Sequence, residues 1–380
     1  MTENTDSQHR TENQDADAGE DRKSFSHVAT MRFTDFDHDM AALYGPRYTQ
    51  YRETFHKSLN YDKNGFVPDF PVTLMIELVN RCNLSCIMCY TQNHDGPKSV
   101  LPMDTIEAML QEGQKHGLPA LVIGGGSEGL LYKPMQDVIE SAVENGVMDI
   151  FFASNGVLMT EKVADYLIEN KVSRCWISLD AATPETFKTI RGKDELDLIE
   201  KNIRRLCEMK KERGAVFPNV RVSFCVQQQN VHERELFVEK WQGIVDHIDF
   251  QQLTNFDQID ELFEKGDVEN PPTPPADVDL DNPVCQYPFN SLNVWANGDV
   301  TPCCNFFGRK LVIGNANTNS LKEIWDGAPM AEIRRQFQTG DISATCRLCL
   351  SSRDQTNFSE ATATAKKVNS AQKAEGEAVA

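Results

Sequence analysis

The chain has 380 residues, enough for two domains that each bury a hydrophobic core. Its 38 lysines and arginines stand against 57 acidic residues, and the formal net charge of −19 argues against nucleic acid or an anionic membrane surface as the main partner. No apolar run approaches the ~18 residues that a membrane span needs, and no apolar signal segment starts the chain. With eleven cysteines, the composition predicts a cytoplasmic protein whose thiols serve metals or cores rather than disulfides.

The two ends of the chain are predicted to be disordered. Residues 1–28 are polar and acidic without periodicity, and residues 359–380 are rich in Ala, Lys, Glu and Gly. Residues 29–70 are predicted to form a helical preamble, in which Tyr44-Gly45-Pro46 starts a short helix.

Residues 71–255 alternate between strands and helices, the pattern of βα units on a parallel sheet. The predicted strands cover residues 72–78, 120–123, 150–154, 175–179, 220–226 and 248–253. The fold class is therefore α/β, and we expect the active site at the carboxyl ends of these strands.

A cysteine loop directly follows the first predicted strand. Cys82, Cys86 and Cys89 are spaced Cys-x3-Cys-x2-Cys, and Tyr90 comes next. Cysteine thiolates are the usual ligands of iron–sulfur clusters, and three of them leave one iron of a [4Fe–4S] cluster open. The alternatives are a zinc site or three cysteines that are close only in sequence. The nearest histidine, His94, stands at no familiar zinc spacing.

This spacing with its following aromatic residue resembles the signature of the radical S-adenosylmethionine (SAM) enzymes. The resemblance implies a partial (βα)6 TIM-type barrel and a cluster that binds SAM near Tyr90. It also implies reductive cleavage of SAM to a 5′-deoxyadenosyl radical, which abstracts a hydrogen atom from the substrate. The expected partners are a small-molecule or peptide substrate and a reductase such as flavodoxin or ferredoxin.

Two turns after the next strands resemble further marks of that family. Gly124-Gly125-Gly126-Ser127-Glu128 is similar to its Gly-Gly-Glu turn, and Ser154-Asn155-Gly156 to its Thr-Asn-Gly. The resemblance implies that Gly125, Gly126, Glu128 and Asn155 bind SAM, with Glu128 accepting from its ammonium group. Ordinary turn chemistry is the alternative for both segments.

The fourth predicted strand ends in a run, residues 177–192, that resembles the branch of the family with a C-terminal cluster domain. The resemblance implies that Ser178 bonds the ribose or carboxylate of SAM and that Arg191 binds a carboxylate. Alternatively, Asp180 caps the next helix and Arg191 is a solvated surface charge.

Cys175, Cys207 and Cys225 lie within predicted strands and helices, where a packed core thiol is the ordinary interpretation. A radical epimerase, however, needs a thiol that returns a hydrogen atom to the product radical. Cys225, near the end of the fifth strand, is the catalytic candidate for that role.

Residues 256–284 are acidic and rich in proline, which predicts an extended linker. A second cysteine set follows in residues 285–358, comprising Cys285, Cys303, Cys304, Cys346 and Cys349. Asn297-Gly298 predicts a hairpin that returns Cys303 to Cys285. Four converging thiols suit either zinc or a second [4Fe–4S] cluster.

This region resembles the SPASM/twitch domains that follow radical SAM barrels. The resemblance implies a small α+β domain with one auxiliary cluster held by Cys285, Cys303, Cys346 and Cys349, with Cys304 as the alternative to Cys303. The spacing of these cysteines is similar to that in family members that oxidise an alcohol of an aminocyclitol.

The sequence therefore leaves three classes of function. The first is oxidation of an alcohol on a sugar, aminocyclitol or similar small polar metabolite, with the auxiliary cluster as electron acceptor. The second is a peptide-modifying maturase or epimerase. The third is a cysteine-rich metal module without catalytic activity, which the cysteine loop and the predicted barrel disfavour.

Overall fold

The computed structural model describes residues 28–90, 98–276 and 278–354. The predicted disordered ends lie outside these residues, except for Val28, which begins a strand. The strands are β1 Val28–Arg32, β2 Thr73–Ile76, β3 Ala120–Ile123, β4 Asp149–Ser154, β5 Arg174–Ser178, β6 Asn219–Val226, β7 His247–Thr254, β8 Ser291–Val294, β9 Asp299–Thr301, β10 Gly314–Asn315 and β11 Arg353–Asp354.

The helices of the first part of the chain are α1 Phe36–Tyr44, α2 Pro46–Leu59, α3 Tyr61–Asn64, α4 Met103–His116, α5 Met135–Glu144, α6 Glu161–Glu169, α7 Pro184–Arg191, α8 Leu196–Glu212, α9 Arg234–Trp241 and α10 Ile259–Lys265. Those of the second part are α11 Tyr287–Asn290, α12 Leu321–Asp326, α13 Ala328–Thr339 and α14 Ala344–Ser351. None of the helices in the described part of the chain is long and apolar enough to cross a membrane.

A largely parallel sheet carries the fold, in the order β1-β7-β6-β5-β4-β3-β2-β8-β9-β10. Strands β2 to β7 are the six predicted strands, and each is parallel to its neighbour. Apolar residues follow one another in β2 and β3 because both faces of these parallel strands are largely buried. The predicted α/β class and partial barrel are confirmed.

Helix termini follow the sequence signals. Thr160 and Thr183 accept backbone hydrogen bonds at the starts of α6 and α7, and Ser320 forms a capping box with Glu323 at the start of α12. Ile199, Ile203 and Leu206 form the buried face of α8. These caps and buried faces determine where the helices between the strands begin and how they pack. They thereby position the carboxyl ends of the strands at the site.

Three features differ from the sequence expectations. The preamble is not only helical, because β1 pairs antiparallel with β7 and covers that edge of the sheet. The predicted extended linker contains α10, whose Ile259 and Leu262 are buried. Strand β8, predicted as one arm of a separate hairpin, also pairs in parallel with β2, so that Thr73 lies opposite Ser291.

Candidate functional site

The cysteine loop is attached to the C-terminal end of α7. The N–H groups of Ser85 and Ile87 donate to the carbonyl oxygens of Arg191 (3.1 Å) and Ile190 (2.9 Å). Gly192 has a φ of +77°, and a Cβ there would lie 2.7 Å from the carbonyl oxygen of Ser85. Only glycine permits both this backbone conformation and this close approach. The Arg191-Gly192 segment is therefore part of the support of the cysteine loop.

A chain of hydrogen bonds holds the Cys82 side of the loop. The Asn155 side-chain amide donates to Asn83 Oδ1 (2.7 Å) and approaches Cys82 Sγ at 3.7 Å. The backbone N–H of Asn155 donates to Glu128 Oε2 (2.7 Å). Glu128 thus reaches the first cysteine through Asn155.

Glu128 is 1% exposed, and its carboxylate has two further donors, Ser154 Oγ (2.9 Å) and the N–H of Leu130 (3.1 Å). Burial raises the pKa of Glu128, while these donors and the charge of Arg191 oppose the increase. Three protein donors thus already bond the carboxylate that was predicted to accept from the SAM ammonium. The structure therefore supports a positioning role for Glu128. Ser154, which sequence reasoning treated only as part of a turn, belongs to the same network.

The glycine turn after β3 combines open space with tight packing. Gly125 has a φ of +117° and no heavy atom within 4 Å of its Cβ position, so a ligand can approach its backbone. A side chain at Gly126 would instead collide with the carboxylate of Glu77. The first glycine fits a ligand contact, whereas the second is required by packing.

Arg191 is buried beside the middle cysteine and is not a solvated surface charge. Its Nη1 donates to Cys86 Sγ (3.4 Å), and its Nη2 forms an ion pair with Asp180 Oδ2 (2.5 Å). Burial alone would lower the pKa of Arg191, but Asp180 and Cys86 hold it above the usual value. Burial raises the pKa of Cys86, and the neighbouring guanidinium opposes this. A cation fixed at this sulfur favours its thiolate, the form that binds metal.

Asp180 connects this ion pair to β6. It has a φ of +65°, an uncommon conformation for a residue other than glycine, and its Oδ1 accepts from the N–H of Cys225 (2.7 Å). Asp180 is not the cap of α7, a role that Thr183 fills. The buried amide of Asn230, which sequence reasoning missed, donates to the carbonyl oxygens of both Asp180 (2.9 Å) and Cys225 (2.8 Å). Cys225 therefore lies at the same end of the sheet as the cysteine loop.

The remaining SAM candidates occupy different surroundings. Ser178 ends β5, lies opposite Ser223 and is half-buried at the carboxyl edge of the sheet. Tyr90 packs its ring against Phe256 and Phe306, and its hydroxyl donates to Asp260 (3.0 Å). Burial and Asp260 raise the pKa of Tyr90 to about 12. The Tyr90 side chain thus joins the cysteine loop to the region around α10, so any contact with SAM falls to its backbone.

The second cysteine set surrounds one apolar cavity. Cys285, Cys303, Cys346 and Cys349 line it together. Cys304 is not among the lining residues, and its sulfur instead accepts a hydrogen bond from the Tyr287 hydroxyl. Among the described residues, no group of three His, Cys, Asp or Glu side chains is arranged to chelate a single ion. The four thiols predicted as ligands thus share a space, and Cys303 rather than Cys304 faces it.

The thiols of this cavity need a cationic centre in order to ionise. Burial raises the pKa of Cys285 to about 12 and raises those of Cys303 and Cys349 well above the usual value. Metal coordination deprotonates such thiols outright. An apolar cavity with four thiols and no opposing cation among its lining residues therefore fits a metal cluster.

A buried ion pair that sequence reasoning missed joins the two cysteine regions. Glu77 follows β2 and pairs its Oε1 with Arg309 Nη2 at 2.9 Å, while its Oε2 accepts from the N–H of Ala296 (3.1 Å). Arg309 also stacks its Cζ 3.8 Å from the ring centre of Trp295. The only sequence signal was an acidic residue directly after a buried apolar strand.

Comparison with known families decides the class of the chain. Residues 76–239 match the model of the radical SAM superfamily, and residues 285–350 match that of an iron–sulfur cluster-binding domain, SPASM. The chain is a radical SAM protein. The resemblance noted in the sequence is confirmed, including its C-terminal SPASM domain.

Individual relatives share only part of this radical SAM chain. A probable GTP 3′,8-cyclase of Methanocaldococcus jannaschii is 28% identical over 138 residues, which cover 36% of this chain and 46% of that protein. The chain thus spans about half the length of that curated relative.

Two solved structures are also similar. SuiB of Streptococcus suis, bound to its precursor peptide SuiA, is 16% identical with a TM-score of 0.54, covering 77% of this chain and 74% of that chain. BtrN, a 2-deoxy-scyllo-inosamine dehydrogenase in complex with AdoMet and 2-DOIA, is 16% identical with a TM-score of 0.49, covering 72% of this chain and 92% of that chain. The SuiB likeness shows the fold.

Membership of this family assigns the cofactors. They are SAM, a [4Fe–4S] cluster in the barrel and an auxiliary iron–sulfur cluster in the SPASM domain. When bound, they supply a 5′-deoxyadenosyl radical from SAM and a second redox centre. The protein's own contribution is a cysteine loop fixed by α7 and Asn155, a cation at Cys86 and four thiols around an apolar cavity.

Proposed function

We propose that this radical SAM enzyme is an oxidoreductase that oxidises an alcohol of a sugar, aminocyclitol or similar small polar metabolite. The observation that carries the proposal is the set of four thiols around the second cavity, Cys285, Cys303, Cys346 and Cys349. A centre with four protein ligands keeps no open position for substrate, and electron transfer is the role left to it.

The reaction needs such an acceptor. Removal of a hydrogen atom from a carbinol carbon leaves a ketyl-type radical, with the hydrogen now in 5′-deoxyadenosine. That radical becomes a carbonyl when it loses one electron and one proton. The proton passes to solvent, and we place the electron acceptor in the cavity of the four thiols. Pairing of β8 with β2 supports this assignment, since it anchors the SPASM domain beside the strand that leads to the cysteine loop.

Within this proposal, Cys82, Cys86 and Cys89 hold the cluster that binds SAM. The backbone of Gly125 and the side chains of Ser178 and Arg191 are the contacts we assign to SAM. Gly126, Glu128 and Asn155 keep these groups in place. One SAM is consumed in each turnover, and its cleavage needs an electron from a reductase such as flavodoxin or ferredoxin, in a cytoplasmic setting.

A second candidate function, epimerisation during peptide maturation, rests on Cys225. Its backbone is fixed by Asp180 and Asn230 at the carboxyl end of β6, the end at which the cysteine loop lies. A thiol there suits return of a hydrogen atom to a substrate radical, which would leave the product at its original oxidation state.

Heavy water distinguishes the two functions. Reconstituted protein would be incubated with SAM, dithionite and a panel of sugars and aminocyclitols in 2H2O, and the products analysed by mass spectrometry. We expect equal amounts of 5′-deoxyadenosine and a carbonyl product, with no solvent deuterium at the oxidised carbon. A product of unchanged oxidation state with one solvent deuteron at that carbon would refute the oxidoreductase proposal.

Two variants serve as controls for the same assay. Cys346→Ala combined with Cys349→Ala should keep SAM cleavage and stop carbonyl formation. Cys225→Ala should leave oxidation unchanged, whereas an epimerase would lose its product with this substitution.

A further inference from the structure

A separate cavity opens at the other end of the parallel strands. It has a volume of about 560 Å3 and is lined by Arg174, Arg221 and His247, which lie at or near the amino ends of β5, β6 and β7. Arg32 at the end of β1 and Arg52 on α2 complete a set of four arginines. The cysteine loop follows the carboxyl end of β2, so this cavity uses none of the residues assigned to SAM or to the clusters.

Aromatic rings hold two of these guanidinium groups in fixed orientations. Arg174 places its Cζ 5.0 Å from the ring centre of Phe36 and 5.4 Å from that of Phe151. Arg221 places its Cζ 4.1 Å from the ring centre of Trp176. Stacking occupies the faces of a guanidinium group and leaves its N–H edges for oxygen acceptors. Arg174 uses one edge for Asp149, and Arg221 pairs through its Nε with Asp249, so a ligand would meet their remaining N–H groups. The arginines of the cavity are therefore preorganised donors.

Each carboxylate near the cavity already has a partner, and three of them pair with arginines of the cavity. Asp149 and Asp249, which are 1% and 0% exposed, pair with Arg174 and Arg221 from inside the barrel. At the cavity wall, Asp35 caps α1 by accepting from the N–H of His38 (3.0 Å), and Asp37 accepts from Tyr48 and pairs with Arg52. Arg32 is exposed, and the described residues provide it with no ion pair. Its charge is available to a ligand.

His247 provides an unpaired polar atom on the same wall. Its Nε2 has no hydrogen-bond partner among the described residues, although the residue is only 8% exposed. Burial, together with the positive charges of Arg221 and Arg32, lowers the pKa of His247 to about 4. The charged groups that shift the pKa of this imidazole are thus positive, which favours an anion beside it.

We propose that this cavity binds a small phosphate-bearing anion. A phosphate group offers several acceptor oxygens to the N–H edges of Arg32, Arg174 and Arg221, and its negative charge is opposite to theirs. The imidazole of His247 supplies one more polar contact. The phenyl ring of Phe36, which also lines the cavity, offers an apolar wall to whatever carries the phosphate.

Calorimetric titration of the reconstituted full-length protein tests this proposal. Inorganic phosphate, AMP and adenosine would be titrated at constant ionic strength. We expect saturable binding of inorganic phosphate or AMP and none of adenosine. Stronger binding of AMP would identify a nucleotide-like ligand, whereas equal binding would identify the phosphate alone. Either result supports the site.

Two matched variants test whether phosphate binds in this cavity. Arg32→Gln removes an exposed side chain without an ion pair and should weaken phosphate binding about tenfold, the effect of losing one charge-assisted hydrogen bond. Arg335→Gln makes the same change of charge on α13 and should bind phosphate as the wild-type protein does. SAM cleavage should be unchanged in both variants.

A second measurement follows the wild-type cavity directly and uses a variant only to assign one signal. With 13C-labelled histidine, NMR titration of the His247 imidazole, assigned with His247→Gln, should show its pKa rising when phosphate is added. The proposal is overturned if neither phosphate nor AMP binds, if Arg32→Gln and wild type bind equally, or if phosphate competes with SAM.

Discussion

The carboxylate of Glu77 and the guanidinium of Arg309, 232 residues apart in sequence, form a buried ion pair at 2.9 Å. Their side chains are 2% and 12% exposed. Burial raises the pKa of Glu77, an effect that Arg309 opposes, and it lowers the pKa of Arg309. Desolvation therefore costs both partners, and each needs the other for its charge to be tolerated. This pair connects the end of β2 to the SPASM domain.

Removing one partner should be worse than removing both. Arg309→Met leaves a buried carboxylate, and we expect it to lower the free energy of unfolding by about 3 kcal/mol. Urea denaturation under anaerobic conditions measures this. The double variant with Glu77→Gln should recover part of the loss, because no buried charge then remains. Strictly additive effects of the two substitutions would contradict the predicted coupling.

The position of the auxiliary ligands predicts which of two adjacent cysteines holds iron. Wild-type protein purified without oxygen should contain about eight irons, the content of two [4Fe–4S] clusters. Cys303→Ala should lose the iron of the SPASM domain, whereas Cys304→Ala should keep it, because only Cys303 lines the cavity with the other three thiols. Iron analysis with electron paramagnetic resonance of the reduced protein gives the answer. The reverse pattern would make Cys304 the ligand.

The hydrogen bonds that connect Glu128 to the cysteine loop predict that this residue affects how firmly the loop retains iron. Glu128→Gln keeps the size of the side chain but replaces one acceptor oxygen with a donor, which leaves a buried N–H or hydroxyl donor unpaired at a cost of roughly 1–3 kcal/mol. We expect the loop to lose iron more quickly when a chelator is added, while the auxiliary cluster is unaffected. Ser127→Ala, in the same turn, is the control. Weaker SAM binding with unchanged iron retention would instead favour direct contact with SAM.

A buried carboxylate at the opposite end of the barrel predicts a pH dependence of stability. Burial alone would raise the pKa of Asp149, but Arg174, Ser173 and Tyr51 together hold it below the usual value. A carboxylate with a lowered pKa in the folded state stabilises the fold above its unfolded pKa of about 4, and this stabilisation is lost as the pH falls further.

Asp149→Asn should therefore cost about 3 kcal/mol of unfolding free energy at pH 7, and the difference from wild type should shrink below about pH 4. Urea denaturation at several pH values measures this. Asp165→Asn is the control, because its pair with Arg213 is about 40% exposed and contributes little. A constant difference across the whole pH range would show that hydrogen bonding, and not charge, dominates at Asp149.

Local sequence signals were sufficient to predict much of the structure of this protein. Strand β3 was predicted to the residue, because a short apolar run bounded by Pro119 and Gly124 identifies a buried parallel strand. The Asn297-Gly298 hairpin was predicted from two adjacent residues. The cysteine loop was equally visible, since the ligands of one cluster must lie within a short stretch of chain when a single loop supplies them.

Contacts between distant segments were decided only by the tertiary structure. The motif residues Glu128 and Asn155 were found from the sequence, but their bonding to each other and to the cysteine loop was not, because a motif does not say which way its side chains point. The ion pair of Glu77 with Arg309 and the pairing of β8 with β2 join segments more than 200 residues apart. Such partners are chosen by the path of the chain and by the cost of leaving a buried polar group unpaired, and neither is a property of a local pattern.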